Sequence, residues 1–341
     1  MSITFCSART IVRVSCAAAL TIGLAGAGAP AFAEVAGHAG GPAVTVQPVE
    51  GASDAGFVMT PKQGGVAAST VVTLRGDEVA DIAEVKFGGV SGTILPGAPD
   101  GELRVQAPTA AKVNPKLPYQ AQSVAVTLIT TQGVELSVGE FTYEVSSGID
   151  RQLNYALTYW STYNDTKYFS FNPPNGGGDC MNFVSQTLAA RGIPTDDQWH
   201  NRFGPGDSID NWTSWTTPAW ISVTNFERYM RAMQAELGTE EFDLWDVDRS
   251  KLGLGDVVVF EWVKDAAATA VQPANVPDDL WQILAEDGDH SMIISDIVHN
   301  ADGTISIKLA GHNNDRDFLD LDYVLENVSI ADGNFWHFPP A

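Results

Sequence analysis

An α+β domain preceded by an all-β sandwich is the fold class the sequence predicts, and three observations predict it. Short alternating apolar runs such as VVTLRG, VKFGG, SVAVTLIT and FTYEV fill residues 55–145 with no helical stretch between them, the pattern of a small β-sandwich. All nine tryptophans fall between Trp160 and Trp336, so the second half must build a different core. In that half the helical patterns come first, and the strand runs GDVVVFEWV, SMIISDIV and TISIKLAG follow. Such segregation marks an α+β domain rather than alternating βαβ units.

Taken in order, residues 1–33 read as an export signal. Arg9 and Arg13 precede the apolar run Cys16–Leu24, and Ala31-Phe32-Ala33 offers small residues before a cut. The run is short and broken by glycine, and nothing else approaches the ~20 apolar residues a membrane span needs, so a secreted, extracellular chain is expected. Residues 34–54, rich in Gly, Ala, Pro and Val, suit a flexible leader. Loss of the signal removes Arg9 and Arg13 and takes the net charge from −23 to −25, a surface that repels nucleic acid and anionic membranes. It also removes Cys6 and Cys16, which leaves Cys180 as the lone cysteine in a compartment where disulfides form.

Ser146-Ser147-Gly148 reads as a hinge between the sandwich and a second domain spanning 150–341. In RQLNYALTYWSTYN, apolar residues recur at spacings of three and four, so a helix is expected. The glycine-rich loop FNPPNGGGD then leads into CMNFVSQTLAAR, a second helix expected to be capped by Asp179 and stopped by Gly192 and Pro194. Positions 180, 183, 184, 187 and 188 share one face of it, so Cys180 is placed where the helix meets the sheet.

A cysteine nucleophile requires thiolate character, a base and donors for the oxyanion. The start of a helix favours a thiolate, the amide of Cys180 can donate to a developing oxyanion, and Gly178 lets a substrate backbone approach. A buried cysteine at the same place would equally serve as plain core. Among six histidines, His290 opens the strand SMIISDIV, where a side chain can face a helix terminus. Asn300–Thr304 reads as a three-residue hairpin loop with Gly303 at the left-handed position. Continuing that register sets 290 opposite 314 and puts His312 on the face of His290, a candidate to orient the imidazole. A single bulge would exchange His312 for Asn313, and Asn314 and Asp315 are further alternates.

These motifs carry two resemblances. The order TPKQGG, VVTLRG, VKFGG, APTA, VAVTLITTQG, FTYEV resembles the IPT/TIG immunoglobulin-like domain, whose members serve as spacers or interaction modules. YALTYWSTYN, GGGDCMNFVSQTLAARGIP, SWTTPAWISVTNFERYM, LGLGDVVVF, DHSMIIS and LAGHNND resemble, in that order, the bacterial amidase domain of Amidase family 6 over residues 150–341. That family looks like a branch of the papain-like cysteine hydrolases, akin to NlpC-type and CHAP cell-wall peptidases. The resemblance implies Cys180 as nucleophile, His290 as base and His312 as third polar residue, with peptide or amide substrates and no cofactor. Residues 263–289 form a long acidic insertion beyond the family pattern, placed to act as a lid or to restrict substrates.

DVDRSKLGLGDV departs from a calcium loop at Lys251 and Val257, where glycine and glutamate are required. No zinc spacing occurs. Trp199, Trp212, Trp215 and Trp220 are candidates for stacking on sugars, though a cluster beside ISVTNFERYMRAM fits a core better. The expected function is a secreted cysteine hydrolase of amide bonds, with peptidoglycan stem peptides as the first substrates to try. The alternatives are an inactive papain-like domain in a binding protein and an acyltransferase using the same acyl-enzyme.

Overall fold

The computed structural model describes residues 56–67, 70–76, 78–172, 178–262, 276–278, 289–300, 302–313 and 315–339. The expected export signal and leader lie outside the described residues, as does most of the insertion.

Among the described residues the first half contains nine strands: β1 (Val58–Thr60), β2 (Gln63–Gly65), β3 (Val71–Arg75), β4 (Ile82–Phe87), β5 (Val90–Ser91), β6 (Thr93–Leu95), β7 (Glu102–Gln106), β8 (Gln122–Thr130) and β9 (Glu135–Glu144). They form two sheets, ordered β1-β3-β7-β6 and β2-β9-β8-β4-β5. Alternation along the strands sends Val72, Leu74, Val126, Leu128 and Phe141 inward, each fully buried, as the period of two requires. Phe141 meets Phe87 edge-to-face at 5.4 Å, an arrangement favoured by the ring quadrupoles. One turn of helix, α1 (Ala110–Val113), follows β7.

Ser146–Gly148 is not the hinge expected from its composition. Ser147 caps helix α2 (Gly148–Tyr159) in a reciprocal box with Asp150. The Asp150 carboxylate, wholly buried, also accepts from the Ala67 amide at 2.8 Å. Further on, the Tyr119 hydroxyl donates to the Ser295 carbonyl at 2.6 Å. Buried polar bonds therefore tie the first half to the second, where a hinge would leave its backbone solvated.

The second half contains α3 (Cys180–Arg191), α4 (Pro218–Ile221), α5 (Val223–Leu237), β10 (Glu240–Asp243), β11 (Val257–Trp262), β12 (His290–His299), β13 (Ile305–Gly311), β14 (Arg316–Asp320), α6 (Leu321–Asn327) and β15 (Ile330–His337). Its strands form one antiparallel sheet ordered β10-β15-β11-β12-β13-β14, so the α+β expectation holds. The sheet is buried on both faces. Val257, Val259, Ile293, Ala310 and Trp336 join the core that contains α3. Val258, Phe260, Met292, Ile294, Leu309 and Phe335 join a second core with Leu321 and Val324 of α6.

Helix α3 ends at Gly192 with φ 104°, a left-handed stop that suits glycine. Its burial is broader than the single face expected, because every residue from Cys180 to Leu188 is buried. The reason is visible in its partners. Trp199 Nε1 donates to Ser185 Oγ at 3.1 Å, Trp220 Nε1 to Asn182 Oδ1 at 2.9 Å, and Tyr155 Oη to Gln186 Oε1 at 2.7 Å. The polar positions of α3 thus face aromatic neighbours with polar tips instead of water. Trp199, Trp212, Trp215 and Trp220 are at most 3% exposed, which overturns sugar stacking for them and makes them core.

Candidate active site

Cys180 is the first residue of α3 and is 8% exposed. Asp179 precedes it at the cap position, but its carboxylate makes no cap bond, contrary to expectation. Both oxygens are taken by side chains and a distant loop. Oδ1 accepts from the Phe171 amide and from Asn182 Nδ2, each at 2.8 Å. Oδ2 lies 2.6 Å from Nδ1 of His312. Both partners of this pair are 1% exposed, so the interaction is desolvated and any loss of one member leaves the other stranded.

The other ring nitrogen of His312 lies 2.9 Å from the Tyr159 carbonyl oxygen. A carbonyl only accepts, so Nε2 carries a proton and donates it. With both nitrogens engaged, His312 has none to offer His290, and the expected orienting contact is corrected. The ring is clamped between Tyr163 and Phe183, with centroids at 3.9 and 4.1 Å. Tyr163 is held at φ 49°, a conformation costly for a bulky residue and common at functional sites. Its hydroxyl donates to Asp315 Oδ1 at 2.8 Å.

The register explains the exchange. The hairpin forms as expected, with the Asn300 amide donating to the Thr304 carbonyl at 2.9 Å and His299 paired with Ile305. A bulge then falls at Ser295, so Ile293 pairs with Ala310 and Ile294 with Leu309. Continued to the start of β12, this register sets 290 level with 313 in place of 314. Asn313, one of the alternates, turns toward the cysteine loop: its Oδ1 accepts from the Asp179 amide at 2.9 Å. A Cβ on Gly178 would overlap its Nδ2, so glycine at 178 is what lets this side chain in. Asn314 lies outside the described residues, as do Gly176 and Gly177.

His290 lies opposite Phe260 on β11, and its ring stacks on Trp262 with centroids 5.8 Å apart. Together with Asn313 it lines a cavity of about 260 Å³ whose other walls include Phe260, Met292, Val324 and Arg316. This apolar setting disfavours the imidazolium, and desolvation lowers the pKa of His290 to about 4. Strand alternation gives His290 the face of Met292 and Ile294, opposite the face of Ile293 beneath α3. Asn313 is the residue common to both places: its side chain accepts from the Asp179 amide of the cysteine loop and borders the cavity of His290.

Of the remaining histidines, His337 Nδ1 lies 2.8 Å from buried Asp256, and that carboxylate raises its pKa. His200 Nδ1 lies 2.8 Å from the Asp196 carbonyl oxygen. Both read as structural, and neither approaches the cysteine loop through a bond.

A family model described as "Putative amidase domain" matches residues 148–335, more than half of the chain. The chain belongs to this family. Membership implies an amide substrate, and the matched span begins at α2 and closes within β15, enclosing Cys180, His290 and His312. No curated protein matches the chain. Among solved structures, the chain is similar to a Bacteroides ovatus mixed-linkage glucan utilization locus SGBP-B in complex with mixed-linkage heptasaccharide. That likeness has a TM-score of 0.19 and 12% identity over 26% of this chain and 20% of that one, so the chain spans about a fifth of its length. A likeness so slight carries nothing about fold or ligand. Among the described residues no helix is long and apolar enough to cross a membrane.

Sequence reasoning missed the Asp179–His312 pair. Its signal was present in the two dipeptides Asp179-Cys180 and Gly311-His312, but only the packing of α3 against the β13–β14 turn shows that they meet.

Proposed function

We propose that the chain is a secreted cysteine amidase in which Cys180 attacks the amide carbonyl. The observation that carries the reading is the held start of α3: Asp179, locked by His312 and Asn313, sets the position of Cys180 beside Gly178. A nucleophile so positioned loses little freedom on reaching the reactive geometry.

In the reaction, the Cys180 sulfur forms a bond to the carbonyl carbon as the thiol proton passes to His290. The carbon–nitrogen bond breaks, and the amine departs with that proton. Water then attacks the thioester, giving the carboxylic acid and restoring the thiol. His290, neutral in its apolar surroundings, is poised to accept a proton only once substrate is present. Asn313 takes the third, orienting position and His312 holds Asp179. The Cys180 amide is the donor for the oxyanion. A papain-like ancestry for residues 150–341 and an immunoglobulin-like role for the first half as a spacer fit this reading. Peptidoglycan stem peptides are the first substrates to screen.

The test uses mature protein. Cys180→Ala is expected to lower kcat/KM on amide substrates by at least ~10³-fold, the order seen when a nucleophile is removed; retained hydrolysis would overturn the mechanism. Iodoacetamide alkylation of Cys180 followed against pH, in wild type and His290→Ala, then tests the base. Slower alkylation in the variant supports His290, and identical profiles remove it from the role.

A further inference from the structure

The cavity that His290 and Asn313 border is apolar from its depth to its mouth. Met292 and Val324, both buried, belong to its walls, and so do Tyr323 and Val328, both exposed. Apolar surface that stays exposed around a groove marks binding sites. The volume, about 260 Å³, falls below the ~300–1,000 Å³ of cavities that enclose a whole small molecule. One large side chain is what it takes.

A single basic side chain joins these walls. Arg316, the first residue of β14, is exposed. Among the described residues its guanidinium enters no ion pair, and Nη1 donates to the carbonyl of the adjacent Asp315 at 3.4 Å. The carboxylates near it in the chain are engaged elsewhere. Asp315 Oδ1 accepts from Tyr163 and Asp317 Oδ1 from the Phe318 amide, while Asp320 holds Lys308 and Asp322 holds Arg249. In a chain with 42 acidic residues against 19 Lys and Arg, this cation is left open to a carboxylate from outside. The planar guanidinium suits that partner, since it can offer two parallel donors to one carboxylate.

His290 decides which half of a substrate enters. The group that returns the proton must lie at the leaving nitrogen, so a cavity bordered by His290 receives the amine half. An amino acid released as the amine carries its nitrogen, its side chain and its carboxylate on one carbon. His290, the apolar walls and Arg316 border one cavity in the same way.

We propose that this cavity holds the residue released with the amine, a large apolar amino acid whose free α-carboxylate is bound by Arg316. The preferred bond is then the last amide of a peptide or of an N-acyl amino acid. This assignment rests on the reading of Cys180 and His290 as nucleophile and base. Its failure is separable from theirs by measuring turnover and binding with the same compounds: acetyl-alanyl-phenylalanine, its C-terminal amide and acetyl-alanyl-alanine. Release of the terminal residue is followed in the wild-type chain, and isothermal titration is run on the full Cys180→Ala chain. The phenylalanine acid is expected to exceed each of the others at least ~10-fold in kcat/KM and in affinity, the scale of one hydrogen bond to a charged group or of one buried side chain. Arg316→Gln, at an exposed position, is expected to erase the preference for acid over amide by raising KM for the acid, and Arg316→Lys to keep part of it. Turnover without that preference, or with a preference that survives Arg316→Gln, would overturn the assignment while the amidase reading stands. Binding that depends on Arg316 without any turnover would uphold the cavity as the site for this residue and overturn hydrolysis by Cys180. Neither binding nor turnover of any of the three would overturn the assignment.

Discussion

Asp179 carries more of the site than any other single residue. Its carboxylate joins the Phe171 amide, Asn182 and His312 in a pocket that excludes water, so Asp179→Asn strands His312 and removes one arm of the clamp. A loss of about 3–5 kcal/mol is expected, as when one partner of a buried pair is deleted, measured by urea unfolding. His312→Ala should cost a similar amount, and the double variant much less than the sum, because both act through one pair. Additive losses would show that the two residues do not act as a unit. His290 sets a pH dependence. Its folded pKa, about 4, lies below the ordinary 6.5, so the unfolded chain takes up a proton that the folded chain refuses. Its share of stability is full above about pH 6.5 and is lost as pH falls toward 4, amounting to no more than ~3 kcal/mol. Urea midpoints from pH 7 to 4 for wild type and His290→Phe measure it: the wild-type midpoint falls more steeply over that range. Parallel curves would show that His290 is solvated. The sequence made Cys180, His290 and His312 visible as candidates. It assigned His312 the wrong partner, because a register extended from the hairpin carries no sign of the bulge at Ser295, upstream of the turn.

Helix α3 and the turn before β11 show how elements constrain one another. Gly255 has φ +80°, and a Cβ there would overlap Gln152 Oε1, with Gln152 Cδ at 2.8 Å and Arg191 Nη1 at 3.0 Å. Those atoms belong to a buried network in which Gln152 Nε2 donates to the Gly255 carbonyl at 2.8 Å and Arg191 Nη1 donates to Gln152 Oε1 at 2.9 Å. Gly255→Ala therefore combines an unfavourable backbone with a displaced network, and a loss of about 2–4 kcal/mol is expected. A thermal or urea midpoint within error of wild type would refute the crowding. The extents of α3, β11, β12 and β13 were legible in the sequence, since a glycine stop and apolar runs mark them locally. The full burial of α3 was not legible. Asn182, Ser185 and Gln186 lie off the face expected to be buried, and Trp220, Trp199 and Tyr155 supply their partners from elsewhere in the chain.

Across the whole molecule, the two halves are joined by bonds that neither half predicts. Asp150 accepts from Ala67 across the junction, and Tyr119, fully buried, donates to Ser295. Burial raises the pKa of the Tyr119 phenol far out of the physiological range, so it stays a donor. Tyr119→Phe leaves the Ser295 carbonyl without that partner at an expected cost of about 1–2 kcal/mol. Unfolding followed by tryptophan fluorescence, which reports the second half alone, should register the change even though the substitution lies in the first. An unchanged fluorescence midpoint would mean that the halves unfold independently.

By itself the sequence determined the α+β class, the strand-rich first half and the strongly acidic charge, and it singled out Cys180, His290 and His312 as candidates. Those follow from period, composition and local capping, which are properties of neighbours in the chain. Tertiary structure alone decided that His312 serves Asp179, that Asn313 and not His312 borders the cavity of His290, that the tryptophans are core, and that the junction is bonded. Each of these depends on which distant groups exclude water from one another, and desolvation is set by packing, not by order along the chain.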